Sequence, residues 1–184
     1  RIGFDKLNLA CDAGATFDEA ASQIADPDDA AQLRKYVDRY EYTVPAKITG
    51  TWDILYALKN AGTPVHAITN WSSQTWPKGC KVHPELLEVF DTTVVSGEVG
   101  LIKPSTEIYT LLCRRADVTP ERCVFIDDGL HNCIGAKAAG MDLATAFEAI
   151  RISSGNSFVH ETESQVILNG SRDINFTMDL VLKD

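Results

Sequence analysis

Residues 124–140 read VFIDDGLHNCIGAKAAG, and this stretch decides the fold. With Cys123 in front, Val124, Phe125 and Ile126 form a short apolar run, the pattern of a parallel strand buried on both faces. The run stops on two adjacent carboxylates, Asp127 and Asp128, and an Ala-rich helix is expected over 132–140. A further strand is expected over 143–147. Upstream the same alternation repeats: a helix over 104–116, a strand over 92–96, a short helix over 84–90 and a strand over 64–69. Before these comes a helix carrying Trp52, Leu55 and Leu58 that stops at Gly62. Strands alternating with helices predict an α/β fold with a Rossmann-like, mostly parallel sheet and helices on both faces.

The flanks follow other rules. Residues 1–45 are acidic and helical in pattern, with apolar positions at Phe4, Leu7 and Leu9 and then at Phe17, Ala20 and Ala21. Thr16 followed three residues later by Glu19 has the spacing of a capping box. Asp26-Pro27 opens another helix, in which Leu33, Tyr36, Val37 and Tyr40 recur at helical spacing. After 147 the rhythm breaks into a polar, Gly/Ser-rich stretch and strand-like pieces over 165–170 and 174–182. The expected division is a small, partial helical cap over 1–45, a core over 46–147 and an atypical C-terminal segment over 148–184 that forms edge strands or a hairpin.

Polar groups gather where strands end. Thr69-Asn70, Asp127-Asp128 and Asn132 follow or adjoin predicted strands, and Lys103-Pro104 opens a helix. In open parallel sheets ligands bind at the carboxyl ends of the strands, so residues far apart in sequence converge on one edge. Two adjacent carboxylates at a buried strand end are costly unless a cation compensates them, and carboxylate oxygens with water and phosphate suit Mg²⁺. The plain structural reading is that the Asp pair caps a turn, that Lys103 is a surface residue before a first-turn proline, and that Thr69-Asn70 caps a helix. A cation at a helix N-terminus is unfavourable by itself and becomes sensible beside an anion.

Composition narrows the partners. The 184 residues include 17 Lys and Arg against 26 Asp and Glu, a formal charge of -9. That balance opposes nonspecific nucleic acid binding but permits a small anionic substrate held by one lysine in a cleft. The five cysteines, Cys11, Cys80, Cys113, Cys123 and Cys133, include no Cys-x-x-Cys pair. They predict reduced thiols in a cytoplasmic protein rather than a zinc site. No apolar run is long enough for a membrane span. Tyr36, Tyr40 and Tyr42 offer a surface for a possible homodimer.

Three stretches together resemble the haloacid-dehalogenase-like hydrolase superfamily. HAITNWS at 66–72 resembles its second motif, VVSGEVGLIKPSTEIY at 94–109 its third with the lysine, and VFIDDGLHNCIGAKAAG its fourth. FDKLNLACDAGATFDEA at 4–20 resembles a cap helix, loop and next helix of the branch with small helical caps, which contains phosphatases and 2-haloacid dehalogenases. The resemblance implies a Mg²⁺-dependent phosphatase acting through an aspartyl-phosphate. Lys103 and Asp128 would be catalytic, Asp127 and Asp128 metal-binding, Thr69, Asn70 and Trp71 substrate-binding, and Asn132 supporting. Trp71 and Trp76 are expected on the cap side of a cleft between core and cap, and 71–78 is expected as a substrate-facing loop.

The rivals are a metal-independent 2-haloacid dehalogenase, with Trp71 lining a halogen slot, and a non-catalytic binding protein with a defunct site. The resemblance also implies a nucleophilic Asp ending an apolar strand ahead of the cap. Asp5 has too few residues before it, Asp12 follows helical text, and Asp179 is a faint match that needs a circular rearrangement. The expectation is that the sequence shown lacks this strand and hydrolyses phosphate esters slowly. A carboxylate on a central strand beside Asp128 would instead identify the nucleophile.

Overall fold

The computed structural model describes residues 2–145 and 179–183, with 143–145 and 179–183 described through their backbone. Helices α1 (Phe4–Asp12), α2 (Phe17–Ala21) and α3 (Pro27–Arg39) come first. The expected capping box is present: Thr16 Oγ1 accepts from Glu19 N–H, and the Glu19 carboxylate accepts from Thr16 N–H. Asp26 caps α3 through two main-chain N–H groups, with Pro27 in the first turn. These helices close on a hydrophobic cluster of their own, with Leu7, Cys11, Phe17, Ala20, Ala21, Ala30 and Leu33 buried. They form the helical cap.

The rest is a layered α/β body. Helices α4 (Thr49–Asn60), α5 (Trp76–Val82), α6 (Ser96–Val99), α7 (Thr106–Ala116) and α8 (Leu130–Ala138) surround a five-stranded sheet. Its strands are β1 (Val65–Thr69), β2 (Thr92–Val95), β3 (Cys123–Asp127), β4 (Asp142–Thr145) and β5 (Asp179–Lys183), in the order β2-β1-β5-β3-β4. Strand alternation feeds two clusters, as a sheet covered on both faces requires. Val65, Val95 and Ile126 pack with Trp52 and Leu55 of α4 and with Trp76 and Cys80 of α5. Ile68, Val94, Phe125 and Cys123 pack with Ile108 and Leu112 of α7 and with Cys133 and Ala136 of α8.

Three departures matter. The four strands expected from the core pair parallel, β1 with β2 and β3 with β4, but β5 enters between the two pairs and runs antiparallel to β1 and β3. Residues 165–170, expected as a strand, lie outside the described residues, as do 146–178 generally. Second, 71–78 is not an extended loop, because α5 begins at Trp76 with Pro77 in its first turn, where a proline costs no hydrogen bond. The helix expected over 84–90 is a 3-10 turn, Pro84–Leu87.

Cap and core meet along an aromatic ladder. Phe4 and Phe17 contact Tyr36, Tyr36 meets Tyr40 at 5.6 Å, Tyr40 meets Trp71 at 5.8 Å and Trp71 meets Trp76 at 4.9 Å. Tyr36 and Tyr40 are half-buried in this ladder, and Tyr42 is exposed.

Candidate active site

The carboxyl ends of β1 and β3 form one edge of the sheet. Thr69 closes β1 beside Val95, and Asp127 closes β3 beside Thr145. On β5 the register pairs Asp179 with Ile68 and Leu180 with Ile126, so Asp179 stands at this same edge, on the strand between the two. Asp5 is in α1 and Asp12 ends it, so both belong to the cap.

Lys103 and Asp127 form the centre. Lys103 Nζ is 3.1 Å from Asp127 Oδ2, with side chains 4% and 0% exposed. The other carboxylate oxygen, Oδ1, accepts the Gly129 N–H at 2.6 Å. Burial pulls the Lys103 pKa down, and the Asp127 charge and hydrogen bond oppose that pull. A buried pair of this kind contributes little net stability, but losing one partner strands the other.

Asn70 fixes where that lysine starts. Its Oδ1 accepts Lys103 N–H at 2.8 Å, and its Nδ2 donates to Lys103 O at 3.0 Å. The side chain expected to bind substrate is thus turned onto the Lys103 main chain. Thr69 is buried at the end of β1. The Trp71 indole is buried against Trp76, Tyr40 and Gly79.

Asp128 lies one residue further and is exposed. Partial burial raises its pKa first, then the like charge of Asp127 and a hydrogen bond shared with it, against the pull of Lys103. Lys103 thus balances one of two adjacent carboxylates. Asn132 Oδ1 nearby is buried without a hydrogen-bond partner. Its amide lies against the turn, since a Cβ on Gly129 would sit 3.0 Å from both Asn132 Nδ2 and Asp127 Oδ1. An excess carboxylate and an unsatisfied acceptor oxygen on one turn fit a hard cation. Among the described residues no three His, Cys, Asp or Glu side chains gather for a metal. A cation here would draw its remaining ligands from water and substrate, as Mg²⁺ does.

Spacing alone missed the supports. Ser96 Oγ accepts Trp71 N–H at 2.8 Å, and Gly97 N–H donates to Trp71 O at 3.0 Å. A Cβ on Gly97 would stand 2.4 Å from Ser73 N, which is why the Ser-Gly after β2 admits no larger residue. The visible signal was the Ser-Gly pair directly after an apolar strand.

A family model described as "Hydrolase: haloacid dehalogenase-like hydrolase" matches residues 5–140. The chain is 32% identical over 88 residues to the sesquiterpene phosphatase astK of Aspergillus oryzae, covering 48% of this chain and 44% of that protein. It is 24% identical over 144 residues to the pyrophosphatase PpaX of Halalkalibacterium halodurans, covering 78% and 65%. A HAD family enzyme of Bacteroides thetaiotaomicron, solved as its magnesium complex, matches with a TM-score of 0.61 at 22% identity, over 77% of this chain and 75% of that one. That last likeness concerns the fold. The chain spans about half the length of the curated relatives it matches.

Proposed function

Because the chain belongs to the haloacid dehalogenase-like hydrolases, we propose that it is a Mg²⁺-dependent phosphatase, acting on a small phosphate monoester through an aspartyl-phosphate. The observation that carries this reading is the buried Lys103–Asp127 pair with the exposed Asp128 beside it. A metal-free site for an anionic substrate gains nothing from that second carboxylate. The names of two relatives, a phosphatase and a pyrophosphatase, support a phosphorylated substrate.

Asp127, Asp128 and Asn132 would hold the Mg²⁺, which supplies charge neutralisation at the phosphoryl oxygens. Lys103 offsets charge that develops during transfer, from a position that Asn70 sets through the main chain. Thr69 lies at the mouth of the same edge as a hydroxyl donor. Asp179, whose backbone register brings it to the same edge, is our candidate nucleophile. Its attack on phosphorus would expel the alcohol, and water would then release phosphate from the acyl-phosphate. Its strand runs against the direction that the family resemblance implies. The cap over 1–45 would bound the substrate, the net charge of -9 accords with exclusion of nucleic acid, and five buried cysteines outside any disulfide accord with the cytoplasm. Among the described residues no helix is long and apolar enough to cross a membrane.

The test is hydrolysis of p-nitrophenyl phosphate by the protein and its variants. Lys103→Ala, Asp128→Asn and EDTA should each lower turnover by about 10²-fold or more. Hydrolysis indifferent to both EDTA and Lys103→Ala sinks the reading, and halide release from 2-chloropropionate that survives EDTA installs the dehalogenase in its place. Full activity in Asp179→Asn moves the nucleophile elsewhere while leaving the reaction class intact.

A further inference from the structure

Tyr109, in the first turn of α7, is 0% exposed, and among the described residues no wholly buried side chain is larger. A phenol so placed needs an acceptor. It finds one on the neighbouring helix: Tyr109 Oη donates to the Asn132 main-chain oxygen at 2.7 Å. That oxygen lies within α8, where carbonyls already accept along the helix. A carbonyl has two lone pairs, so the phenol adds a bond between two helices rather than completing one. Phenylalanine would fill the same space without it. The hydroxyl therefore fixes where the start of α8 stands against α7.

What it holds is the turn of the candidate metal site. Gly129 N–H donates to Asp127 Oδ1 at 2.6 Å, Asn132 N–H to Gly129 O at 2.9 Å and Cys133 Sγ to Asp127 O at 3.5 Å. Those bonds are internal to 127–133. From outside, Lys103 Nζ reaches the turn at Asp127 and Tyr109 Oη reaches it at Asn132. Tyr109 stands six residues after Lys103, so one stretch of chain supplies both ties. The Tyr109 ring also meets Phe125 edge-on at 5.1 Å, and Lys103 Nζ lies 5.9 Å over that same Phe125 ring. The Asn132 amide has little play. A Cβ on Gly129 would sit 3.0 Å from its Nδ2, and its Oδ1 is buried with no hydrogen-bond partner. A buried acceptor in that state costs free energy until a ligand takes it.

We propose that Tyr109 is a positioning residue for the Mg²⁺ site: its hydroxyl sets the start of α8 so that Asn132 Oδ1 stands ready for the cation. The proposal rests on the reading of Asp127, Asp128 and Asn132 as the residues that hold the metal. Removing a group that orients a metal ligand weakens metal binding by about 10–100-fold. Tyr109 bonds the main chain of Asn132 rather than its amide, so the lower end of that range, about 10-fold, is expected.

Calorimetric titration of Mg²⁺ into the wild type, Tyr109→Phe, Asn132→Ala and the double variant measures this without any turnover. Tyr109→Phe should raise the Kd about 10-fold. In the Asn132→Ala background the same change should do nothing further, because the oxygen it positions is gone. Tyr109→p-aminophenylalanine, which keeps a donor at the same place, should bind Mg²⁺ as the wild type does. A Tyr109→Phe protein with wild-type affinity overturns the proposal. So does an equal loss in both backgrounds, the mark of a purely structural role. If Tyr109→Phe fails to fold, Tyr109→p-aminophenylalanine decides: wild-type affinity upholds the donor, and a loss of about 10-fold overturns it. A wild type that binds no Mg²⁺ sinks the metal reading and the role of Tyr109 with it, whereas a wild type that binds beside a silent Tyr109→Phe leaves the phosphatase reading standing.

Discussion

Gly135→Ala sets helix propensity against packing, and the two predict opposite signs. Gly135 lies inside α8, where exchanging Gly for Ala contributes about 1 kcal/mol of stability when nothing intervenes. A Cβ at this position would stand 2.2 Å from the Pro104 carbonyl oxygen and 2.9 Å from its carbonyl carbon, whereas ordinary contact begins at 3.4 Å. The obstacle is backbone, which cannot swing aside, so α8 and the Lys103-Pro104 segment must separate by roughly 1 Å. Overpacking of this kind costs about 1–3 kcal/mol, and a backbone clash belongs at the upper end. We expect a net loss of about 2 kcal/mol, a fall in Tm of roughly 4–8 °C for a chain of this length. Gly50→Ala in α4, whose Cβ would meet nothing within 4 Å, should be neutral or slightly stabilising. Urea melts of both variants provide the comparison. A Gly135→Ala protein as stable as Gly50→Ala refutes the close approach of α8 to Pro104. The same displacement pulls at the Lys103–Asp127 pair, so activity should fall further than stability.

Lys103→Met should cost about 3–5 kcal/mol, because it leaves the Asp127 carboxylate buried without its cation, and adding Asp127→Asn should recover much of that loss in urea melts. Asn70→Ala removes both main-chain bonds to Lys103; about 1–3 kcal/mol of lost stability is expected, with kcat falling while KM changes little. Because the pKa of Asp128 is raised, a proton competes with a cation there above the usual carboxylate range. Mg²⁺ affinity, followed by calorimetry, should weaken as pH falls from neutrality, and in Asp128→Asn the residual affinity should be nearly independent of pH.

The parts of this molecule legible in the sequence are those with local causes. The apolar run into Asp127-Asp128, the Thr16–Glu19 cap and the alternation of strand with helix each depend on neighbours a few residues apart. Lys103 and Asp127 converge because the strand-end rule holds whatever the details between them. The direction of a side chain is another matter. Asn70 sits where expected but faces Lys103 rather than the open edge, and no spacing encodes that choice. Trp71 reads equally well as a slot wall or as packing until Gly79 is seen to leave it a space that a Cβ would fill at 2.4 Å. The start of α5 at Trp76 was hidden by Pro77 and Gly79, which suggest a loop when their place in the first turn is unknown.

The central place of β5 bears on how the protein is made. Translation delivers β1, β2, β3 and β4 long before residues 179–183, yet β1 and β3 meet their shared neighbour only when that strand arrives. Until then the nascent chain presents two half-sheets, each with an open inner edge of unpaired N–H and C=O groups flanked by apolar side chains, a template for pairing with other chains. Pairing across most of the chain is slow because loop-closure entropy is spent before the contacts form. In the interval before β5 pairs, a holding chaperone or low local concentration keeps the chain out of aggregates.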